Sequence, residues 1–221
     1  MYSARASSRL TATPAVTVAL HDGDTVVAES TVVDARRHGE LVAPGIARVL
    51  TETNHVMRDV TDVAVGVGPG PFTGLRVGLV TAQVLAATLG IPVHGVCTLD
   101  VLAWDASVDG PFAVATDARR REVYWARFTN RTNRVTEPAV DRPMDVAPLV
   151  EGLPVLGEGP RLYPTAFPLH AEPSLPTAAA LASLAVVRIR AGGKGLLPPH
   201  PLYLRRPDAV EPAARKRVTP A

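Results

Sequence analysis

The sequence has a single cysteine, a small net charge and no long uninterrupted apolar run. One cysteine, Cys97, cannot form an intramolecular disulfide and suits a reducing cytosol. A net charge of +2 gives no compositional argument for a nucleic-acid-binding protein. The apolar stretch Pro14–Leu20, which follows the arginines near the N-terminus, is too short for a signal peptide, and Arg76 and Gln83 interrupt the best apolar run. We therefore expect a cytoplasmic protein with no secretory signal and no membrane contact.

The motifs of self-contained enzymes are also missing. No two of the six histidines have HExxH or HxxxH spacing, and there is no CxxC pair. A G-x-S-x-G nucleophile elbow and the strict phosphate-binding patterns are absent too. Asp117, at the end of a predicted strand, is the acid best placed for catalysis or ion binding, but a turn-forming role ahead of three arginines is favoured. The sequence therefore predicts neither a metal site nor a catalytic centre.

The most informative stretch is the apolar run from residue 63 to residue 89. Val63–Val67 predicts a buried strand, and Leu75–Leu89 predicts a helix that ends at Gly90. The intervening GPGPFTG could bind an anion through backbone N–H groups, but Pro69 and Pro71 lack that hydrogen. A structural turn is therefore favoured over a phosphate site. The candidate turn residues are Gly68, Gly70, Phe72, Thr73, Gly74 and Arg76.

The rest of the chain predicts an α/β protein with two lobes. One hairpin is predicted over residues 15–33, around Asp22-Gly23, and a second pairs residues 112–116 with 122–128. Three further helices are expected. They are Leu41–Thr53 with Pro44 in its first turn, residues 99–106 capped by Thr98, and residues 178–189 capped by Thr177. We divide the chain into an N-terminal lobe (1–108), a C-terminal lobe (109–208) and a basic flexible tail (209–221).

The helix predicted at Leu75–Leu89 is apolar nearly all round. A helix that packs against one sheet needs an apolar surface on one side only, so its other side is expected to be covered as well. Gly78, Ala82 and Ala86 recur every four residues and form a small-residue ridge that a second helix could approach closely. The alternative is that this ridge lies on the sheet. We favour the first interpretation and expect a helix-mediated dimer, which Ala82→Arg should block without disturbing the fold.

Five segments together resemble the bacterial TsaB family, formerly called YeaZ. They are RHGEL (37–41), GPGPFTGLRVG (68–78), GVCTL (95–99), DARRREVY (117–124) and PLYLR (201–205). They occur in family order, and the GPGPFTG core is the most specific of them. The resemblance implies the two-lobed α/β fold of actin, Hsp70 and the sugar kinases (the ASKHA fold), with ribonuclease H-like lobes.

The same resemblance implies a role in forming N6-threonylcarbamoyladenosine on tRNAs that read codons starting with A. The chain would be a non-catalytic partner of the threonylcarbamoyltransferase TsaD, joined by the ATPase TsaE, and a homodimer when alone. Contact with the partner would use the two helices of the N-terminal lobe. No cofactor is implied, although ATP or ADP at a TsaB–TsaD interface is left open. The implied partner-interface residues are His38, Leu41, Val42, Ile46, Gly78, Thr81, Ala82, Leu85 and Ala86. The implied contacts between the lobes are Asp117, Arg119 and Glu122.

Two departures from the family pattern bear on the alternatives. Pro71 stands where the family commonly has serine, and Leu10, after Ser7-Ser8-Arg9, stands where its first strand carries an aspartate. Both weaken the first alternative, an ATP-binding small-molecule kinase or ATPase of the same fold. The second alternative, an M22-like metallopeptidase homologue, needs a metal site that the motifs do not supply. Direct tRNA contact through Arg119–Arg121 or Arg215–Arg217 is a further hypothesis.

Overall fold

The computed structural model describes residues 6–10, 15–33 and 38–205, with only the backbone described for residues 6–10, 15, 33, 38 and 39. The predicted tail, 209–221, and its basic run lie outside these residues. The described strands are β1 (Ala6–Leu10), β2 (Ala15–His21), β3 (Val26–Val33), β4 (Asp62–Gly68), β5 (Val93–Cys97), β6 (Phe112–Asp117), β7 (Val123–Asn130), β8 (Asn133–Arg134), β9 (Ala139–Asp141) and β10 (Val155–Leu156). The α-helices are α1 (His38–Glu52), α2 (Phe72–Leu89), α3 (Thr98–Trp104), α4 (Pro143–Val146), α5 (Gly159–Leu162) and α6 (Ala178–Arg190). Short 3-10 helices cover Met57–Asp59 and Ala147–Leu149.

The first lobe is built on a five-stranded mixed sheet in the order β3-β2-β1-β4-β5. Strand β2 is antiparallel to both β1 and β3, whereas β4 runs parallel to β1 and β5 parallel to β4. This is the ribonuclease H-like order that the family resemblance implies. The predicted hairpin around Asp22-Gly23 is confirmed as β2 and β3. The polar segment Ala6–Leu10 forms the central strand.

Helices cover both faces of the first sheet because its parallel strands are apolar on both sides. Val63, Val65 and Val67 of β4 join the core under α1 and α2. Ala64, between them, packs with Val101 of α3 and with α6 on the opposite face. Alternate side chains of one strand thus point into two separate cores.

The predicted boundary between the lobes at residue 108 does not separate the residues that pack in each lobe. Helix α6 lies within the range assigned to the C-terminal lobe, 109–208, yet it packs on β1 to β5 of the first sheet. Its buried side chains Leu181, Leu184 and Ala185 form one cluster with Val96 of β5. The first lobe therefore contains residues from both ends of the described chain.

The second lobe has the sheet order β10-β6-β7-β8, with β9 also paired to β7. The predicted second hairpin is confirmed as β6 and β7, which pair from Phe112–Phe128 to Asp117–Val123. One face packs on α3, whose Leu99 and Leu102 meet Phe112 and Phe128. The other face packs on Val146 of α4 and on Phe167. The prediction of two α/β lobes is confirmed, and α3 lies between them.

Several helix ends differ from the sequence prediction. Helix α2 begins at Phe72, so the last three of the seven residues of the predicted turn are helical. Helix α1 begins at His38, so Pro44 lies in its second turn. Thr98 is the first residue of α3 rather than its N-cap, and its buried Oγ1 has no hydrogen-bond partner among the described residues. Thr177 does cap α6, because its Oγ1 accepts a hydrogen bond from the Ala180 backbone N at 3.0 Å.

Helix α2 is long and apolar enough to cross a membrane by length and composition alone, contrary to the sequence expectation. Such a helix is weak evidence for a span, because core helices share this composition. Six of its residues are buried against the rest of the first lobe. They are Gly74, Leu75, Gly78, Leu79, Ala82 and Ala86.

Candidate functional site

A cleft of about 260 Å³ opens between the two lobes, near the ends of β4 and β6. The start of α2 contributes Phe72 to one wall, and the β6–β7 turn contributes Asp117 and Arg119 to the other. A third wall is formed by residues 202–205, the end of the extended segment 196–205, which we call the strap. Open α/β folds place ligand crevices at the carboxyl ends of strands, so this cleft is the natural candidate site.

The glycine-rich turn at this cleft is shaped by packing rather than for anion binding. Gly68 ends β4 with φ of +99°, which favours glycine, and Pro69 and Pro71 offer no N–H group. A Cβ on Gly68 would lie 3.4 Å from the backbone oxygen of Leu202 in the strap. The strap therefore packs directly against the end of β4. Of the other predicted turn residues, Gly70 lies in the turn, while Phe72, Thr73, Gly74 and Arg76 belong to α2.

The strap joins the two lobes. At its start, Gly95 and Leu197 exchange backbone hydrogen bonds of 2.8 and 2.9 Å along the edge of β5. Further on, the Leu202 backbone N donates to the Val67 oxygen at 2.7 Å. At its end, Arg205 forms an ion pair with Glu122 in the second lobe and lies 3.4 Å from the Ala118 oxygen. Predicted lobe-contact residue Glu122 thus meets the strap.

An exposed aromatic pair, Phe72 and Tyr203, lies on the first-lobe side of the cleft. The two rings stack with centroids 5.5 Å apart and an angle of 29° between their planes. Arg76 caps them: its guanidinium carbon lies 3.8 Å from the Phe72 centroid, and its Nε donates to the Tyr203 hydroxyl at 3.1 Å. Arg76, predicted as a turn residue, therefore fixes the strap to α2.

The β6–β7 turn holds the other two predicted lobe-contact residues. Asp117 Oδ1 accepts a hydrogen bond from the Arg119 backbone N at 2.8 Å, and its Oδ2 lies 3.1 Å from the Arg119 guanidinium. Glu158, at the start of α5, lies within electrostatic reach. Burial, and then the charge of Asp117, raise the pKa of Glu158. Asp117 is thus engaged in the turn interactions that the sequence favoured for it.

The structure corrects the predicted partner face of α2. The small-residue ridge of Gly78, Ala82 and Ala86 lies on the buried side of the helix, with Ala82 fully buried and Ala86 3% exposed. This is the alternative orientation, in which small residues let the helix lie close to the sheet. The exposed apolar residues are instead Val80 and Val84, at 57% and 61% exposure.

Two of the other predicted interface residues are also buried. Val42 and Ile46 of α1 are 1% and 5% exposed and belong to the first-lobe core. Leu41, Thr81 and Leu85 are half-buried, and the side chain of His38 lies outside the described residues. The outer side of α1 carries Ala43 and Ala47. Because α1 and α2 pack side by side on one face of the sheet, their outer residues form a single surface.

A buried ionic cluster escaped the sequence analysis. Asp100 in α3, 7% exposed, pairs with Arg134 of β8 and with Arg188 of α6, the latter at 2.8 Å. The three residues come from both lobes and from distant parts of the sequence, so no local pattern marks them. Neighbouring Cys97 is fully buried, and burial raises its pKa to about 12, which leaves it an unreactive thiol at neutral pH.

Among the described residues, no three His, Cys, Asp or Glu side chains are grouped so that they could hold a metal ion. The histidines are dispersed. His94 contacts Asp62 at 2.9 Å, while His21 accepts a hydrogen bond from the Gly23 backbone N at 2.9 Å. The arrangement thus offers a cleft and an exposed helix surface.

Comparison with known proteins places the chain among tRNA-modification proteins. A family model described as TsaD, tRNA N6-adenosine threonylcarbamoyltransferase, matches residues 25–167. A TsaB protein of tRNA threonylcarbamoyladenosine biosynthesis from Escherichia coli (strain K12) is 37% identical over 128 residues, covering 57% of this chain and 55% of that protein. An uncharacterised protein of Mycobacterium tuberculosis (strain ATCC 25618 / H37Rv) is 43% identical over 210 residues, which cover 90% of each chain.

A solved structure agrees with these sequence matches. YeaZ from Pseudomonas aeruginosa superposes with a TM-score of 0.79 at 29% identity. The match covers 91% of this chain and 100% of that one. The two-lobed arrangement is therefore shared over nearly the whole described chain.

Proposed function

Because the chain belongs to the TsaB (YeaZ) family, we propose that it is a partner subunit in forming N6-threonylcarbamoyladenosine on tRNA. Its partner is a TsaD-type threonylcarbamoyltransferase, and the chain contributes no active site of its own. A TsaE-like ATPase joins the complex, and the chain forms a homodimer when the partner is absent. Under this proposal the protein works in the bacterial cytoplasm and holds no cofactor itself.

The observation that carries the proposal is the exposed apolar surface of α1 and α2, which we call the helix face. Val80 and Val84 of α2 are each more than half exposed, and Ala43 and Ala47 lie on the outer side of α1. Covering each valine would contribute roughly 1 kcal/mol to association. After Arg76, the exposed residues of α2 carry no charge, as in the cores of stable protein interfaces, while Arg48 and Glu52 on α1 pair with each other at 2.7 Å. A partner protein of similar apolar character therefore fits it.

The cleft supports a non-catalytic role. The strap packs against Gly68 and donates the Leu202 N–H to the Val67 oxygen, so the end of β4 is already occupied by the chain itself. The turn that follows lacks N–H groups at Pro69 and Pro71. A kinase of this fold needs that turn open and rich in donors to hold phosphates. These features support a binding subunit over an ATP-dependent enzyme.

The test is association with a TsaD-type protein and restoration of the tRNA modification in a strain lacking this gene. We predict that Val84→Arg abolishes co-purification, because it places a charge on the helix face. The fold should be unaffected, because the Val84 side chain is 61% exposed. Val187→Arg is the matched control: Val187 is 44% exposed but lies on α6, across the sheet. If Val84→Arg formed the complex as well as the wild type, the helix face would not be the surface that binds the partner.

A further inference from the structure

Three consecutive arginines form the β6–β7 turn in an unusual backbone conformation. Arg119, Arg120 and Arg121 have φ of +61°, +55° and +61°, the left-handed region that residues with a side chain rarely adopt. Hydrogen bonds hold the turn closed: Ala118 N donates to the Glu122 oxygen, and Glu122 N donates to the Arg119 oxygen, each at 3.0 Å. Glycine would satisfy this backbone at lower cost, so the arginine side chains need a separate explanation.

Other arginines extend the basic surface on both sides of this turn. Arg121 shares a shallow groove of the second lobe with Arg142, and Arg161 lies 3.6 Å from Glu158, whose pKa also responds to Arg119. All these arginines are exposed. We call the set the arginine belt. Its members are Arg119, Arg120, Arg121, Arg142 and Arg161.

Two of the nearby carboxylates are less exposed than the arginines that they contact. The Asp117 side chain is 19% exposed beneath Arg119, which is 78% exposed. Glu158 is 24% exposed beside Arg161, which is 70% exposed. Asp145 is the exposed acid of the second-lobe groove. At Arg119 and Arg161 a polyanion therefore meets guanidinium groups first, whereas Asp145 reduces the positive charge of the groove near Arg121 and Arg142.

The aromatic pair faces the belt across the cleft. Phe72 and Tyr203 are 51% and 45% exposed, and both line the cleft together with Arg119. Exposed rings next to guanidinium groups are the combination that receives unstacked nucleobases in RNA-binding proteins. The belt consists of arginine rather than lysine, and the planar guanidinium matches a phosphate with two parallel hydrogen bonds.

We propose that the arginine belt binds the phosphate backbone of tRNA, with the exposed Tyr203 ring of the aromatic pair placed beside it to stack on an unpaired base. The inference rests on the proposed function, which supplies tRNA as the substrate of the complex. RNA is favoured over an acidic protein because the aromatic pair adds a site for bases. The helix face, on the first lobe, also already provides an apolar surface for the protein partner. The belt thus assigns the chain a part in holding substrate.

The experiment measures binding of a fluorescently labelled tRNA that reads codons starting with A, over a range of salt concentrations. We expect Arg119→Glu/Arg121→Glu to lower affinity at least tenfold and to reduce the slope of log affinity against log salt by about two. The matched control is Arg127→Glu/Arg131→Glu, which makes the same charge change on β7 and at its far end. The control should stay within twofold of the wild type.

A second variant guards against misfolding. Arg119→Gly/Arg121→Gly relieves the left-handed strain, so it should fold and still lose tRNA affinity. Wild-type affinity in both belt variants, or an equal loss in the control, would overturn the proposal. Loss of TsaD-type partner binding with intact tRNA binding would instead identify a protein-binding surface and would also overturn it. If the wild type restores the modification but the belt variants bind tRNA normally, the proposed function stands and only this inference fails.

Discussion

Replacing Gly95 by alanine should detach the strap from the first lobe. A Cβ at this position would lie 2.6 Å from the Pro198 oxygen, 2.6 Å from Val67 Cγ1 and 2.8 Å from the Leu197 oxygen. Two of these contacts are backbone atoms, which cannot rotate away as a side chain can. The strap, held along the outer edge of β5, must therefore move outward.

The expected loss of stability follows from the contacts that this movement breaks. Gly95 and Leu197 exchange two backbone hydrogen bonds, and each contributes about 1 kcal/mol net. Leu197 is also partly buried against the cores of both lobes, and losing part of that burial adds roughly 1 kcal/mol. The free energy of unfolding should fall by about 3 kcal/mol. For a chain of this size, that lowers Tm by roughly 9 °C.

Thermal unfolding measures the loss, and hydrogen exchange at the Leu197 and Leu202 amides shows whether the strap is the part that opens. Gly110→Ala is the control, because a Cβ there meets no atom within 4 Å, although φ of +84° imposes a strain of about 1 kcal/mol. If Gly95→Ala costs no more than Gly110→Ala, or leaves both amides protected, the strap does not depend on close approach at Gly95.

Two further predictions concern the first lobe. Ala82→Arg should destabilise the fold by at least about 3 kcal/mol, because it places an unpaired charge on the fully buried side of α2. Soluble yield and urea unfolding measure this loss. If the Ala82→Arg protein were as stable as the Val84→Arg protein, the burial of the ridge would be contradicted. Burial lowers the pKa of His21, whose Nδ1 accepts a hydrogen bond from the Gly23 backbone N. The stabilisation from neutral His21 should therefore be fully present above about pH 6.5 and be lost as pH falls through the folded-state pKa. Urea unfolding from pH 8 to pH 5 should show the difference between wild type and His21→Gln shrinking below pH 6.5, and a constant difference would contradict it.

Local signals in the sequence predicted most of the secondary structure. Asp22-Gly23 marked the first hairpin because a tight turn needs those residues, and Thr177 marked the start of α6 because a hydroxyl can satisfy a free N–H. The alternating apolar residues of β6 and β7 likewise indicated paired strands. Each of these signals acts over a few residues, so the sequence alone displays it.

Long-range packing could not be predicted in the same way. The strap is a proline-rich segment that pairs with β5 about a hundred residues earlier, and the Asp100 cluster joins α3, β8 and α6. The left-handed backbone of Arg119–Arg121 is also hidden, since no glycine or asparagine marks it. These features depend on contacts between helices and strands that are far apart in the sequence. Patterns among neighbouring residues carry no information about such contacts.

Helix α2 shows how an apolar pattern in the sequence can be assigned to the wrong face of a helix. Small residues suggest close helix approach, but a sheet with helices packed on it makes the same demand, and here Gly78, Ala82 and Ala86 meet that demand inside the lobe. The branched Val80 and Val84 are then left outside, where a lone helix on a solvated lobe would carry polar residues. Under the proposed function, two different neighbours explain why the helix is apolar all round: the sheet of this chain and a second protein. Arginine at Ala82 tests the first neighbour through stability, and arginine at Val84 tests the second through association.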